Sequence, residues 1–209
     1  NGSSNISAAD CYKQIQLKAM IESGTSRFGD KDPRLIEYIS TIKNYFPDSY
    51  IVNIIRDPRD VLSSKKQASW SAGRTTIFYC FSNRVQLRIA SLLGKKLFGD
   101  RYIEVIYEEL IKFPENQVEI LCKKLDLDFQ PSMLAFGEQA KNLVSEAEMS
   151  WKKETFGPLL SENSDKWIST LSDEEIALTE LVCVDAFLKG QYKRSHVFKK
   201  LPFLSKVAT

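Results

Sequence analysis

The sequence is almost without histidine: its single one, His196, lies close to the C-terminus. A His-rich metal site and a His-centred catalytic triad in the body of the chain are therefore excluded. Long apolar runs are also absent, because none approaches the roughly eighteen residues that span a membrane. Neither sign of charge dominates, since 29 basic and 27 acidic side chains give a net charge of +2. This balance argues against a dedicated nucleic-acid binder, which is usually strongly basic.

Cysteine is scarce and scattered along the chain. The four cysteines lie far from one another, so zinc-finger spacing and a Cys-x-x-Cys redox motif are both absent. Cys80, Cys122 and Cys183 lie among apolar residues, and we expect them to be buried thiols. Cys11 lies in a more polar stretch. The cysteines leave the cellular compartment open.

The order of predicted helices and strands indicates the fold class. The 209 residues fit one domain, or one domain with a fragment of another. Two runs rich in β-branched and aromatic residues, Tyr50–Ile55 and Tyr102–Tyr107, predict buried strands. Helices are predicted after Asp32-Pro33, over about 77–98, after Pro114 and from a capping box at Ser172 to about Leu188. This alternation predicts an α/β fold with parallel strands, although two strands alone do not make a stable sheet.

The segment Ile54–Ser64 carries the strongest functional signal, with an arginine at the end of a predicted strand and a helix directly after it. Asp57 suits the N-cap of that helix, and Pro58 suits its first position. A helix start offers N–H groups and a positive dipole end, and Arg56 adds a fork of donors that suits phosphate. We predict an anion site here, with Ser64 about two turns further on. The alternative is that Arg56 forms a salt bridge with a carboxylate at the sheet edge.

Two other residues stand out by their positions. Lys31 comes just before the predicted helix start at Asp32-Pro33, where its charge opposes the helix dipole. This unfavourable local choice hints at a role elsewhere, although a solvated lysine is the commoner explanation. Tyr107 closes the second predicted strand, where its ring could pack against a flat ligand. The alternative for Tyr107 is a core tyrosine with a solvated hydroxyl.

Together these segments resemble the sulfotransferases that use PAPS, 3′-phosphoadenosine 5′-phosphosulfate, and in particular the bacterial-type and protein-tyrosine enzymes. The resemblance covers roughly residues 27–192. Any one block is weak evidence, but several follow in the family's order. These blocks are Gly29–Pro33, Phe46–Val52, Arg56–Ser64, Tyr107–Pro114, Lys166-Trp167 and Gly190–Tyr192.

The resemblance implies roles for individual residues. Arg56 and Ser64 match the pair that grips the 3′-phosphate, and Tyr107 matches the residue beside the adenine. Lys31 matches the lysine that faces the transferring group in the tyrosine-sulfating enzymes, so it would be catalytic and stabilise the departing phosphate oxygen.

Further expectations about the loop, the fold and the reaction also come from the resemblance. Lys166 and Ser150 match loop residues that close over the nucleotide. The family fold is a P-loop-type three-layer α/β sandwich, here assigned to 27–192, with 1–26 as a flexible start and first helix and 193–209 as a tail. Its members move a sulfonate from PAPS to a hydroxyl or amine, release adenosine 3′,5′-bisphosphate and generally need no metal.

The acceptor and the location are less defined. A small molecule, a glycan and a protein tyrosine all stay open as the acceptor, as does the oligomeric state. A bacterial-type enzyme favours the cytoplasm, with the Golgi lumen as the alternative.

The beginning of the sequence departs from the family pattern. The family opens with a strand and a loop of the type Arg-Ser-Gly-Thr-Thr, which holds the 5′-phosphosulfate. Glu22–Arg27 has a passing likeness, but it follows no apolar strand, and we interpret it as a turn. No residue matches the family's catalytic base. We therefore expect the later part of a sulfotransferase domain, which binds the bisphosphate weakly and transfers no sulfonate by itself; the alternative is a catalytically inactive nucleotide-binding module.

Overall fold

The structure, a computed structural model, describes residues 7–68, 73–135, 137, 163–188 and 192–197. Helices dominate this part of the chain, and two strands lie among them. The strands are β1 Ile51–Ile55 and β2 Tyr102–Ile106. The helices are α1 Ala8–Ser23, α2 Ile39–Tyr45, α3 Pro58–Gln67, α4 Thr76–Ile89, α5 Lys95–Phe98, α6 Tyr107–Lys112, α7 Pro114–Leu125, α8 Trp167–Thr170, α9 Asp173–Val182 and α10 Val184–Leu188.

The two strands pair in parallel, from Ile51 opposite Tyr102 to Ile55 opposite Ile106. Both strands and the parallel α/β arrangement are therefore confirmed. The sheet has two strands in the described part of the chain, so the three-layer sandwich stays a prediction. β1 is correspondingly open on one face, where Val52 and Ile54 are 40% and 56% exposed.

The long predicted helix over 77–98 is present, but it changes its winding near the end. α4 passes into a π-helical turn, Ala90–Gly94, and then into α5. A Cβ atom on Gly94 would lie 2.4 Å from two ring carbons of Tyr102. Glycine at this position therefore lets the helix approach the first residue of β2.

Helix α9 begins as the sequence predicts. The N–H of Glu175 donates to the Ser172 hydroxyl, and the N–H of Ser172 donates to the Glu175 carboxylate, which completes the capping box. The helix ends earlier than expected, because α9 stops at Val182 and α10 begins only after Cys183.

One predicted helix start is wrong. The Asp32 carboxylate accepts the N–H of Arg34 at 2.7 Å, which closes a turn and not a helix. A 3-10 turn follows over Leu35–Tyr38, and α2 begins at Ile39. Lys31 therefore precedes a turn, and it does not oppose an α-helix dipole as the sequence suggested.

The stretch Glu22–Arg27 is a helix end and turn. α1 runs through Ser23, and Gly24 caps it in the left-handed conformation with φ of 64°. A helix, not a strand, precedes this glycine, which confirms the interpretation as a turn.

The main core lies between α3, α4 and α9. Leu62, Tyr79, Ile176 and Val182 form one buried cluster there together with Cys80, Ala177, Leu171 and Val197. Cys80, Cys122 and Cys183 are buried free thiols, as predicted, and Cys11 is exposed. Because Val197 belongs to this cluster, the residues just after position 192 pack against the core.

In the described residues, none of the helices is both long and apolar enough to cross a membrane. The same part of the chain contains no group of three or more His, Cys, Asp and Glu side chains that could hold a metal ion.

Candidate functional site at the ends of the two strands

Because β1 and β2 are parallel, the residues that follow them lie at the same edge of the sheet. Asp57 follows β1 and caps α3, accepting the N–H of Arg59 at 2.8 Å. Pro58 takes the first helical position. The predicted strand, cap and helix start are all confirmed.

The start of α3 is already well supplied with negative charge. Asp57 takes the N–H of Arg59, Pro58 has no N–H, and the Asp60 carboxylate lies in the first turn. An anion therefore gains less from this helix end than the sequence analysis assumed, so positively charged side chains must provide most of the attraction.

Arg56 is the half-buried cation at this edge. Its guanidinium lies over the ring of Tyr107, with 4.4 Å between its central carbon and the ring centroid. One Nη donates to the carbonyl of Asn163 at 2.8 Å. Its Nε is buried and has no hydrogen-bond acceptor among the described residues. A buried donor without an acceptor is costly, so this fork has binding capacity left for an anion.

Both the ring and the hydroxyl of Tyr107 make contacts that fix its position. It begins α6 directly after β2, and its ring stacks on Arg56. Its hydroxyl accepts a hydrogen bond from the side-chain amide of Asn163 at 2.7 Å. Arg56, Tyr107 and Asn163 thus form one connected group, of which the sequence analysis found the first two.

Glu108 connects three parts of the chain. One of its carboxylate oxygens accepts the N–H of Asp57 at 2.9 Å, and the other accepts the hydroxyl of Tyr192 at 3.0 Å. Burial, together with this carboxylate, raises the pKa of Tyr192. Glu108 does not stand out in the sequence, because a glutamate in the first turn of a helix already has a local explanation in the helix dipole.

Arg59 lies three residues after Arg56 in a closed environment, 4% exposed. Its guanidinium donates to Asp57 at 2.6 and 3.0 Å and to Glu180 at 2.7 Å. It also donates to the carbonyl of Lys193 at 3.2 Å. Trp167 and Phe187 flank it, with ring centroids 3.9 and 5.1 Å away. The salt bridge that was the alternative for Arg56 is therefore formed by Arg59.

Asp60 is 1% exposed, and both of its oxygens accept backbone hydrogen bonds. One accepts the N–H of Asp165 at 2.8 Å, and the other accepts the N–H of Trp167 at 3.0 Å. Burial raises the pKa of Asp60, and these two hydrogen bonds oppose that shift. No pattern in the sequence indicates these contacts, since the partners lie more than a hundred residues away.

Arg56 also lines a groove of about 1080 Å³ between β1, α4 and the residues before α2. Lys31 is exposed and lies on the wall of the same groove. Arg34, Lys65 and Arg74 line the groove as well, and burial lowers the pKa of Lys65. No sequence pattern singled out Lys65.

The remaining predicted residues are less closely connected to Arg56. Ser64 is exposed on α3, whereas its neighbour Ser63 is buried and bonds the Thr170 hydroxyl at 2.7 Å. Lys166 is half-buried just before α8, three residues after Asn163. Ser150 lies outside the described residues.

Comparison with known proteins adds a family to this geometry. The family model described as "Sulfotransferase family" matches residues 4–131, which is more than half of the 209-residue chain. This span includes Lys31, Arg56, Ser64 and Tyr107, whereas Ser150 and Lys166 lie beyond it.

A curated relative shows how much of a longer protein the chain matches. An uncharacterized protein from Aquifex aeolicus (strain VF5) is 26% identical over 139 residues. The match covers 62% of this chain and 18% of the relative, so the chain spans less than a fifth of the relative's length.

Proposed function

The chain belongs to the sulfotransferase family, and we propose that it binds PAPS through Arg56 and serves the transfer of the sulfonate to a hydroxyl or amine acceptor. Adenosine 3′,5′-bisphosphate is then the product that leaves the same site. The acceptor is a small molecule, a glycan or a protein tyrosine.

The observation that carries this proposal is the buried Nε of Arg56, which has no hydrogen-bond acceptor among the described residues. A planar guanidinium with an unused N–H suits a phosphate, which accepts two parallel hydrogen bonds. Tyr107 holds the guanidinium by its ring, 4.4 Å away, so little conformational entropy is lost when an anion binds. These properties fit the 3′-phosphate of the nucleotide, which is the role that we assign to Arg56.

The other assignments follow in the same proposal. Ser64 supplies a hydroxyl to the 3′-phosphate, and Tyr107 lies beside the adenine. Lys31 stabilises the departing phosphate oxygen from the wall of the groove that Arg56 also lines. Lys166 and Ser150 close over the nucleotide from the segment that leads to α8.

The chemistry explains why cations matter most. When bound, PAPS supplies the sulfonate and a leaving phosphate oxygen on which negative charge grows. Catalysis of such a displacement depends on positioning and on fixed positive charge, as in phosphoryl transfer. Lys31 provides the charge and Arg56 provides the positioning. A general base, which takes the acceptor's proton, is not assigned to any described residue.

The second candidate is a module that binds the nucleotide without catalysis. It is favoured by the conformation of Glu22–Arg27, which ends helix α1 at Gly24 and does not follow a strand as a phosphate loop does. An assay with labelled PAPS distinguishes the two candidates. Turnover supports the enzyme. Binding without turnover supports the module only if turnover is also absent when any sequence upstream of residue 1 is included.

Titration calorimetry with adenosine 3′,5′-bisphosphate tests the binding site itself. We expect Arg56→Ala to weaken binding about tenfold or more, because a charged hydrogen bond and a stacked cation are lost. The matched control is Arg88→Ala, since Arg88 is an exposed arginine paired with Asp185 at 3.7 Å and lies outside the groove of Arg56. Equal affinity of the Arg56→Ala variant and the wild type would contradict the proposal.

A further inference from the structure

The segment Asn163–Trp167 is the part of the chain that orients Arg56 and Tyr107. The Asn163 carbonyl accepts a hydrogen bond from Arg56 at 2.8 Å. The Asn163 amide donates to the hydroxyl of Tyr107 at 2.7 Å. One residue therefore sets the position of both the cation and the ring that stacks on it.

Local interactions alone do not favour the conformation of this segment. Asp165 has φ of 60°, a left-handed conformation that a residue other than glycine adopts only at a cost. Helix α8, which follows, has only four residues and contributes little stability of its own. The conformation of Asn163–Trp167 therefore depends on contacts from elsewhere in the fold.

Asp60 supplies those contacts from the first turn of α3. Its two oxygens accept the N–H groups of Asp165 and Trp167, so they hold the backbone on both sides of Lys166. Hydrogen bonds to an ionised carboxylate are stronger than those between neutral groups. Asp60 is also almost completely buried, so water does not compete for its carboxylate oxygens.

We propose that Asp60 is a positioning residue for the nucleotide site, which fixes Asn163–Trp167 so that Asn163 holds Arg56 and Tyr107 in their binding geometry. The inference rests on the proposed function, because it concerns the same 3′-phosphate contact. Asp60 itself does not touch the nucleotide. It acts through a backbone segment, and its removal therefore loosens Arg56 without removing any of its charge.

The readout is the discrimination for the 3′-phosphate, measured as the ratio of the dissociation constants of adenosine 5′-monophosphate and adenosine 3′,5′-bisphosphate. We expect Asp60→Asn to lower this ratio about tenfold, because an amide oxygen replaces a carboxylate oxygen and one acceptor is lost. The matched control is Phe98→Leu in α5, which lowers stability at a buried position outside the core cluster that Trp167 packs against. This control leaves the ratio unchanged, since lost stability weakens the binding of both nucleotides alike.

A double-mutant cycle separates failure of this inference from failure of the proposed function. If Arg56→Ala leaves the ratio at its wild-type value, the assignment of the 3′-phosphate to Arg56 is wrong. If Arg56→Ala lowers the ratio but Asp60→Asn does not, Arg56 binds the phosphate and the positioning role of Asp60 is wrong. If both single variants lower the ratio, we expect Asp60→Asn to cause no further decrease when it is added to Arg56→Ala.

A second variant keeps the test decisive if Asp60→Asn does not fold. Asn163→Ala retains the carbonyl that Arg56 contacts but loses the amide that holds Tyr107. We expect it to weaken binding of the bisphosphate by roughly threefold to tenfold, in line with one lost hydrogen bond. Unchanged binding in this variant would show that the hydrogen bond from Asn163 to Tyr107 does not affect nucleotide binding, which would contradict the positioning role of Asp60.

Discussion

Arg56 and Arg59 stand on either side of Asp57-Pro58, three residues apart, and meet opposite environments. Arg59 is surrounded by acceptors, with Asp57 and Glu180 as charged partners. Arg56 has no ion pair within the described part of the chain, and its Nε has no acceptor there. Arg59 thus donates its hydrogen bonds to carboxylates of the fold, whereas Arg56 keeps an N–H that has no acceptor among the described residues.

The difference arises from which elements face each arginine. Arg59 lies in the first turn of α3 and points to α9, which provides Glu180 from a fully buried position. Arg56 directly follows β1 and faces Tyr107, which directly follows β2. A buried arginine beside carboxylates neutralises charges that would otherwise be buried alone, whereas one beside a ring and a carbonyl keeps its charge available for an anion.

The largest expected effect is on folding at Arg59. Arg59→Ala leaves Asp57 and Glu180 buried without their cation, which costs about 3–5 kcal/mol of the free energy of unfolding. Arg56→Ala loses one hydrogen bond and a cation–π contact, and we expect about 1–2 kcal/mol. Urea unfolding measures both values. A larger loss for Arg56→Ala than for Arg59→Ala would reverse the comparison.

Thiol labelling of Cys183 gives a second measure of the same difference. Burial raises the pKa of the Cys183 thiol to about 12, so it reacts slowly at pH 8 in the wild type. Because Cys183 follows α9, Arg59→Ala opens its surroundings and accelerates labelling by roughly a hundredfold or more. Arg56→Ala accelerates labelling by only roughly five- to thirtyfold, in line with its smaller loss of stability. The exposed Cys11 serves as the internal control.

A conservative substitution of Arg56 tests whether nucleotide binding needs the shape of its guanidinium or only its charge. Arg56→Lys keeps the positive charge but loses the planar fork and the stacking on Tyr107. We expect the affinity for adenosine 3′,5′-bisphosphate to fall about tenfold, while the free energy of unfolding changes by less than about 1 kcal/mol. Calorimetry and urea unfolding check the two halves. Full affinity in the lysine variant would mean that Arg56 acts only as a point charge.

The smallest expected effect is on the pH dependence of stability, through Tyr192. Its hydroxyl donates to Glu108, which also accepts the N–H of Asp57, the residue after Arg56. The pKa of Tyr192 is higher in the folded protein, so its contribution to stability is present below the unfolded value of about 10 and is lost as the pH rises further. We expect Tyr192→Phe to cost about 1 kcal/mol at pH 7 and to reduce the fall in stability above pH 10. Unfolding curves at pH 7 and pH 10.5 check both, and parallel curves would contradict the assignment.

The local features of the sequence predicted the framework of this site well. Both strands, the cap at Asp57 and the helix start at Pro58 depend on neighbouring residues, and all of them are present. The start predicted at Asp32-Pro33 failed, although its residues match the same pattern. There the Asp32 side chain closes a turn with Arg34, so a cap residue followed by proline does not by itself fix a helix.

The contacts that separate Arg56 from Arg59 could not be predicted from the sequence. Glu180 is 121 residues from Arg59 along the chain, and Asn163 is 107 residues from Arg56. Such pairs depend on tertiary packing, and spacing within one segment carries no information about them. The salt bridge that was the alternative for Arg56 does form in the structure, but Arg59 forms it, with Asp57 and Glu180.

Glu108 has a consequence for the order of folding. Its partners Asp57 and Tyr192 are 51 and 84 residues away, so long loops must close before either hydrogen bond forms. Contacts of such large sequence separation tend to form late, after the rate-limiting barrier. The hydrogen bond to Asp57 spans the same 51 residues as the pairing of β1 with β2, so it can form together with the sheet, whereas the contact with Tyr192 has the larger separation and is expected to form last. Tyr192→Phe should therefore accelerate unfolding and leave the folding rate nearly unchanged.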